Sequence, residues 1–145
     1  MRFLFCDRVL EIEKMKSISG VKTFSLAEEY HNRHFAKQPL VPGVLMIETM
    51  AQFLGWLINY SHDFRVFSII SLIQNVEVCA ASRPGFVARV HAEIVSTTER
   101  DTLGTAWIEV EGNRIAAAER MIYTHLRAPD PEALREMFRY NTGLG

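Results

Sequence analysis

The segment Leu40–Tyr60 is the most apolar part of this 145-residue chain, and it limits what the chain can fold into. Within Gly43–Ile58 the strongly polar residues are only Glu48, Thr49 and Gln52. Pro42 stands where a helix tolerates proline, so the segment predicts a helix that runs to about Tyr60. A helix that is apolar on almost every side has to be wrapped by other structure. Its polar and glycine interruptions argue against a membrane span.

Segments rich in β-branched residues, or alternating between apolar and polar residues, surround this helix and predict strands. The predicted strands are residues 3–12, 19–25, 66–78, 85–97, 105–110 and 114–125. Turn residues at 83–85 and 111–113 separate the later strands, and the second turn predicts a hairpin.

The remaining segments complete a single-domain plan. The polar residues 26–38 predict a short helix or loop, and acids followed by basic residues predict a terminal helix at about 130–141. The order predicts one α+β domain over residues 1–145, in which a sheet wraps one long helix.

Composition excludes several classes of function. With 48% hydrophobic and 23% charged residues the chain is globular, and a formal charge of -1 argues against nucleic acid or an anionic membrane as partner. Cys6 and Cys79 fit neither a metal-binding spacing nor a secreted disulfide framework. The apolar start of the chain ends at Asp7, which does not suit a signal peptide, so a cytoplasmic location is predicted.

The stretch His34–Gln52 reads HFAKQPLVPGVLMIETMAQ and carries the most specific motif of the chain. It resembles the signature of the 3-hydroxyacyl-acyl carrier protein dehydratases, in which a GHFP loop leads through PVMPG into a helix reading IEAMAQ. His34 and Glu48 stand in register with the family's histidine and acid. The family's glycine before the histidine is Arg33 here, and the proline after His-Phe is Ala36, so the loop departs from the usual pattern.

The resemblance implies a hotdog fold, in which an antiparallel sheet wraps the long helix. It also implies a homodimer, or a multiple of one, in which His34 of one subunit faces Glu48 of the other. The implied substrate is an acyl thioester on acyl carrier protein, with no cofactor beyond the substrate's own pantetheine arm. Phe35 and Val44, which flank the motif's key positions, are implied to contact the substrate.

The chemistry of these residues suits dehydration. Histidine titrates close to neutrality, so His34 can act as the base, and Glu48 can act as the acid if desolvation on its apolar helix raises its pKa. The N–H of Gly43 lies at the positive end of the helix, where it can stabilise a developing oxyanion. Gln52 lies one turn after Glu48 and can orient its carboxyl or a water.

Three alternatives accompany this prediction. A hotdog thioesterase would aim a carboxylate at the thioester carbonyl or a water without a histidine partner, and His34 argues against it. A non-catalytic acyl-binding or partner subunit of a dehydratase complex stays open because of Arg33 and Ala36. A metal site at His31, His34 and Glu48 would lack a third histidine and a clear second shell, so no metal is predicted.

Overall fold

The computed structural model of the chain describes residues 4–29, 37–79 and 83–144. In chain order the elements are β1 (Arg8–Glu13), β2 (Ser17–Phe24), α1 (Gly43–Ser61), β3 (Val66–Val78), β4 (Phe86–Thr97), β5 (Asp101–Val110), β6 (Asn113–Arg127) and α2 (Pro131–Thr142). The predicted α+β class is confirmed.

The strands form one six-stranded sheet in the order β1-β2-β4-β5-β6-β3, in which every neighbouring pair is antiparallel. The strands β1 and β3 form the two edges. Helix α1 crosses one face of the sheet and contacts β2, β3, β4, β5 and β6. The predicted arrangement of a sheet around one long helix is therefore present.

One face of α1 forms the core with small residues of the sheet. Met50, Phe53 and Leu57 are completely buried on the helix side. On the sheet side, the fully buried residues include Ala88, Ala92, Ala106 and Ala118, whose short side chains let the helix approach closely.

The two largest differences between predicted and observed strand boundaries are the starts of β1 and β5. β1 begins at Arg8 rather than residue 3, because the Asp7 carboxylate accepts a hydrogen bond from the N–H of Thr23 (2.6 Å) and takes the place of a ladder partner. β5 begins at Asp101 rather than residue 105. A tight turn precedes it, closed by a hydrogen bond from the N–H of Thr98 to the carbonyl of Asp101 (2.9 Å).

The terminal helix α2 has clear start and stop signals. The Asp130 carboxylate accepts a hydrogen bond from the N–H of Ala133 (3.1 Å), and Gly143 ends the helix in the left-handed conformation. Leu134 and Phe138 are buried in a second, smaller core with Phe64 and Ala128. The prediction of a short helix here is confirmed, shifted by one residue.

Within residues 4–29, 37–79 and 83–144, no helix combines the length and the apolar character that crossing a membrane requires.

Cys6 and Cys79 are both free thiols. Burial, together with the nearby charge of Asp7, raises the pKa of the Cys6 thiol to about 12, so this group is inert at neutral pH.

Candidate active site

Glu48 projects from the first half of α1 and is held by a short chain of hydrogen bonds. The Gln52 side-chain amide donates to Oε1 of Glu48 (2.9 Å), and its oxygen accepts from the N–H of Phe5 (2.9 Å). Residues one turn apart on a helix face each other, which is why this contact forms. Gln52 therefore fixes the orientation of the carboxyl from one side.

The expectation that Glu48 is buried is wrong for the single chain. Glu48 is exposed, and Val44, one turn earlier, keeps 66% of its surface accessible. The sequence pattern predicts wrapping on every side, but one stripe of α1 points away from the sheet of its own chain. That stripe opens into a cleft of about 370 Å³ that continues along α1.

Gly43 is the first residue of α1, following Pro42 in extended conformation. Its N–H is one of the helix's first four and has no acceptor within the helix, and no acidic residue lies in the first turn to offset the positive end. A Cβ at Gly43 would lie 2.9 Å from Cγ2 of Val78, which shows how closely the helix start approaches β3. The positive end of α1 is the kind of site that can bind a carbonyl oxygen.

His34 and Phe35 lie outside the described residues, as do Arg33, Ala36 and His31. Their predicted roles therefore stay predictions. The described part of the site consists of Gly43, Val44, Glu48 and Gln52, which all lie on α1.

Tyr123 lies beneath the site and was missed by the sequence prediction. Its hydroxyl donates a hydrogen bond to the carbonyl of Ala51 (2.5 Å), which ties β6 to α1 one turn beyond Glu48. Burial, and secondarily the charge of Glu48, raises the pKa of Tyr123. The phenol thus stays protonated and engaged with α1, so it does not compete with Glu48 as the acid. A buried tyrosine in a strand has no local sequence signal that points to this role.

A second polar cluster joins the end of α1 to the β4–β5 turn and β6. Two threonine hydroxyls connect the rings of His62 and His125. Nε2 of His62 lies 2.9 Å from the Thr97 hydroxyl, and Nε2 of His125 lies 2.7 Å from the Thr102 hydroxyl. The two hydroxyls are 2.6 Å apart. Nδ1 of His125 lies 3.2 Å from the carbonyl of Glu99. Since a carbonyl only accepts, Nδ1 of a neutral His125 carries the proton, and the hydrogen bonds then run from His62 towards His125.

Both histidines of this cluster have lowered pKa values. For His62 the cause is burial, followed by the charges of His125 and Arg65, with Asp63 and Glu99 opposing them. The two imidazole rings lie 4.9 Å apart, so protonation of both would place like charges in contact.

Burial also lowers the pKa of His125, and here the bond to the Glu99 carbonyl and the charge of Asp101 oppose it. The unfolded chain, with histidine pKa values near 6.5, therefore binds more protons than the folded protein in mild acid. Stability should be unaffected by this pair above about pH 7 and should fall as pH drops below about 6.5.

We expect the melting temperature to decrease between about pH 7.5 and pH 5.5, and the decrease to be smaller in a His62→Gln/His125→Gln variant. Differential scanning fluorimetry across this range measures both proteins. Equal slopes for the double variant and the wild type would contradict the assignment.

Among the described residues, no group of three or more histidine, cysteine, aspartate or glutamate side chains is arranged to hold a metal ion. Gln52 donates a hydrogen bond to Glu48 and accepts one from the backbone of Phe5. The described part of the site combines a carboxyl, a carboxamide and the positive end of a helix, groups that can serve proton transfer and oxyanion stabilisation.

Comparison with protein families gives a match over most of the chain. A FabA-like domain matches residues 1–119. The FabZ protein of Rickettsia felis, a 3-hydroxyacyl-acyl-carrier-protein dehydratase, is 34% identical over 121 residues, which cover 81% of this chain and 82% of that protein. The protein of the same name from Bacillus pumilus is 32% identical over 120 residues, with the same coverage of both chains.

Solved structures share the fold. The dehydratase heterocomplex ApeI:P from Xenorhabdus doucetiae contains a chain that matches with a TM-score of 0.67 at 16% identity, over 93% of this chain and 89% of that one. The protein smu.793 from Streptococcus mutans, solved bound to acetyl CoA, matches with a TM-score of 0.64 at 9% identity, over 83% and 89% of the two chains. The predicted hotdog fold is thus confirmed, and the matched residues show that the chain belongs to the FabA-like family.

Proposed function

We propose that this chain is a dehydratase of fatty acid biosynthesis, which removes water from a 3-hydroxyacyl thioester on acyl carrier protein and leaves a trans-2-enoyl thioester. The observation that carries the proposal is the arrangement on α1, where the oriented Glu48 carboxyl follows the free helix start at Gly43 by little more than one turn. The curated relatives of similar length are named for the same reaction.

In the proposed reaction His34 takes the proton from C2 of the substrate, and the electron pair moves onto the thioester oxygen. The pair then returns to form the C2–C3 double bond as the C3–O bond breaks. Glu48 protonates the departing hydroxyl, which leaves as water. The proton gained by His34 and the proton lost by Glu48 balance over the cycle.

Gly43 would stabilise the intermediate negative charge on the thioester oxygen. Its N–H lies at the positive end of α1, and such preorganised donors are among the largest contributions to catalysis of this kind. The close approach to Val78 leaves little room for a side chain at this position. Val44, exposed beside it, would contact the substrate near the thioester.

A second copy of the chain would complete the site. The edge strand β3 pairs only with β6 among the described strands, and it exposes Phe67, Ile69 and Leu72 by 43–44%. A long apolar edge of this kind is a pairing surface unless something covers it. Pairing of two β3 strands about a twofold axis would extend the sheet and form a homodimer.

The same cover would close the cleft beside Glu48, because Phe67 belongs both to the exposed edge and to the lining of the cleft. Water would then be excluded from the carboxyl, which would shield the reacting groups from solvent. His34 of the partner subunit would face Glu48 there.

The free thiols Cys6 and Cys79 support a reducing, cytoplasmic location.

The proposal is tested by incubating the purified chain with crotonyl and longer 2-enoyl thioesters, carried on acyl carrier protein or on coenzyme A. A dehydratase hydrates these substrates in the reverse direction, so enoyl absorbance should fall without release of free thiol. Release of thiol would instead identify a thioesterase. If neither signal changes with any carrier, the dehydratase proposal fails, and a non-catalytic partner subunit takes its place.

A further inference from the structure

Helix α2 lies beyond residues 1–119, which match the FabA-like family, yet it lines the same cleft as Glu48. The cleft is lined by Glu48, Ala51 and Gly55 on α1 and by Met137 and Asn141 on α2. From the position of Glu48 to the end of this helix stripe at Asn59, α1 rises about 16 Å. The cleft therefore extends along the helix, and α2 borders it near Trp56, two turns beyond Glu48.

The lining of the cleft suits a hydrocarbon chain. Ala51 and Gly55 are small and one turn apart, so they form a shallow floor along α1. Phe67 and Ile70 of β3 form one apolar wall, and Leu4 contributes a further apolar side chain. Besides Glu48, the polar residues Gln52, Asn59, Ser68, Tyr123 and Asn141 also line the cleft, so its apolar surface consists of this wall and floor.

The order of the groups along α1 sets the direction in which a substrate would lie. A 3-hydroxyacyl thioester presents its carbonyl, then its C3 hydroxyl, then its hydrocarbon tail. Gly43, Glu48 and Met137 follow in the same order, from the start of α1 to the far end of the cleft. With the carbonyl at Gly43 and the hydroxyl at Glu48, the tail points towards α2.

Met137 sits on a helix whose position is fixed by aromatic packing. The ring of Phe138 contacts the rings of Trp56, Tyr60 and Phe64, with centroid distances of 5.7, 5.5 and 5.2 Å. Met137 itself keeps 53% of its surface accessible and faces the cleft, so its unbranched side chain is available to a ligand.

We infer that Met137 is the end stop of the acyl site and determines how long a hydrocarbon tail the protein accepts. The inference rests on the proposed function, because it needs the reacting end of the substrate at Glu48. It adds a determinant of specificity on an element that lies outside the matched family domain.

The test compares kcat/KM for crotonyl, octenoyl and dodecenoyl thioesters in the wild type, Met137→Ala and Met137→Trp. Met137→Ala should raise the ratio of dodecenoyl to crotonyl turnover by roughly tenfold, since each methylene accommodated in an apolar pocket is worth about that factor. Met137→Trp should lower the same ratio. Met137→Leu, which conserves the volume, should keep the wild-type ratio.

Glu136→Ala is the matched control, because Glu136 neighbours Met137 on α2 but is exposed and does not line the cleft. Its profile should equal that of the wild type. If the Met137 variants keep the wild-type ratio while Glu48→Gln abolishes turnover, the end stop is refuted and the proposed function survives. If Glu48→Gln retains full turnover on every chain length, the proposed site itself fails.

Discussion

Mixing two inactive variants, His34→Ala and Glu48→Gln, should restore about a quarter of the wild-type activity. Each variant alone should lose about a hundredfold to ten-thousandfold in kcat, because each lacks one of the two groups that transfer protons. In a mixed dimer with a shared site, one site contains both substitutions and the other contains neither. Random exchange places half of the chains in mixed dimers. One of the two sites in each mixed dimer is intact, so a quarter of all sites are active.

The measurement uses the two variants refolded together, with hydration of crotonyl-acyl carrier protein as the readout. Refolding either variant with itself supplies the control and should restore nothing. A second control refolds wild-type chains with an excess of the His34→Ala/Glu48→Gln double variant, which should suppress activity because every mixed dimer lacks an intact site. If both variants are inactive alone and their mixture shows no recovery, His34 and Glu48 act within one chain and the shared site is refuted.

Because Glu48 is exposed in the single chain, the mixing experiment can tell whether a second chain completes the site. The sequence pattern alone did not predict this exposure. The pattern around Glu48 is apolar on almost every side, which indicates that the helix is wrapped, but it does not say by which chain. In the structure, the sheet covers Met50, Phe53 and Leu57, whereas Val44 and Glu48 face outward. A hydrophobic pattern reflects residues buried by their own chain and residues buried by a second chain alike, and it does not distinguish the two.

Local signals predicted most elements because each has a local physical cause. Pro42 marks the start of α1, and Asp130 followed by Pro131 marks the start of α2, where the carboxylate does cap the helix. Strand β3 was predicted to the residue because alternating apolar side chains run through it. Strand β1 was predicted too long because the Asp7 side chain competes with the backbone of Thr23, a contact between distant residues.

Distant contacts also account for the features that the sequence did not reveal. His62 ends α1 and His125 lies in β6, and only the fold brings their rings to 4.9 Å. The hydrogen bond from Tyr123 to Ala51 likewise joins β6 to the middle of α1. Neither pair has a fixed spacing that a single sequence could show, whereas Glu48 and Gln52 are one turn apart and were predicted to interact.

Gly104 in β5 should tolerate no bulky side chain, and Gly104→Val should lower the free energy of unfolding by about 3 kcal/mol. A Cβ at this position would lie 2.6 Å from Cδ2 of Leu54 and 2.8 Å from the carbonyl oxygen of Glu93. Leu54 is completely buried, and Glu93 belongs to the paired strand β4. The substitution would therefore push α1 away from the sheet.

Strand propensity acts in the opposite direction but is too small to compensate. Valine is favoured over glycine in strands by about 1 kcal/mol, which is less than the expected cost of overpacking. Gly55→Ala is the matched control, since its Cβ would lie at 3.6 Å from Oγ of Ser68, an ordinary contact distance. It should stabilise α1 by about 0.5 to 1 kcal/mol through helix propensity.

Urea unfolding of both variants at one fixed protein concentration measures the difference, because stability of an oligomer depends on concentration. The midpoint should fall sharply for Gly104→Val and rise slightly for Gly55→Ala. A Gly104→Val protein as stable as the wild type would mean that α1 does not lie as close to β5 as the structure places it. Since α1 carries Gly43, Glu48 and Gln52, such a result would also move the proposed site relative to the sheet.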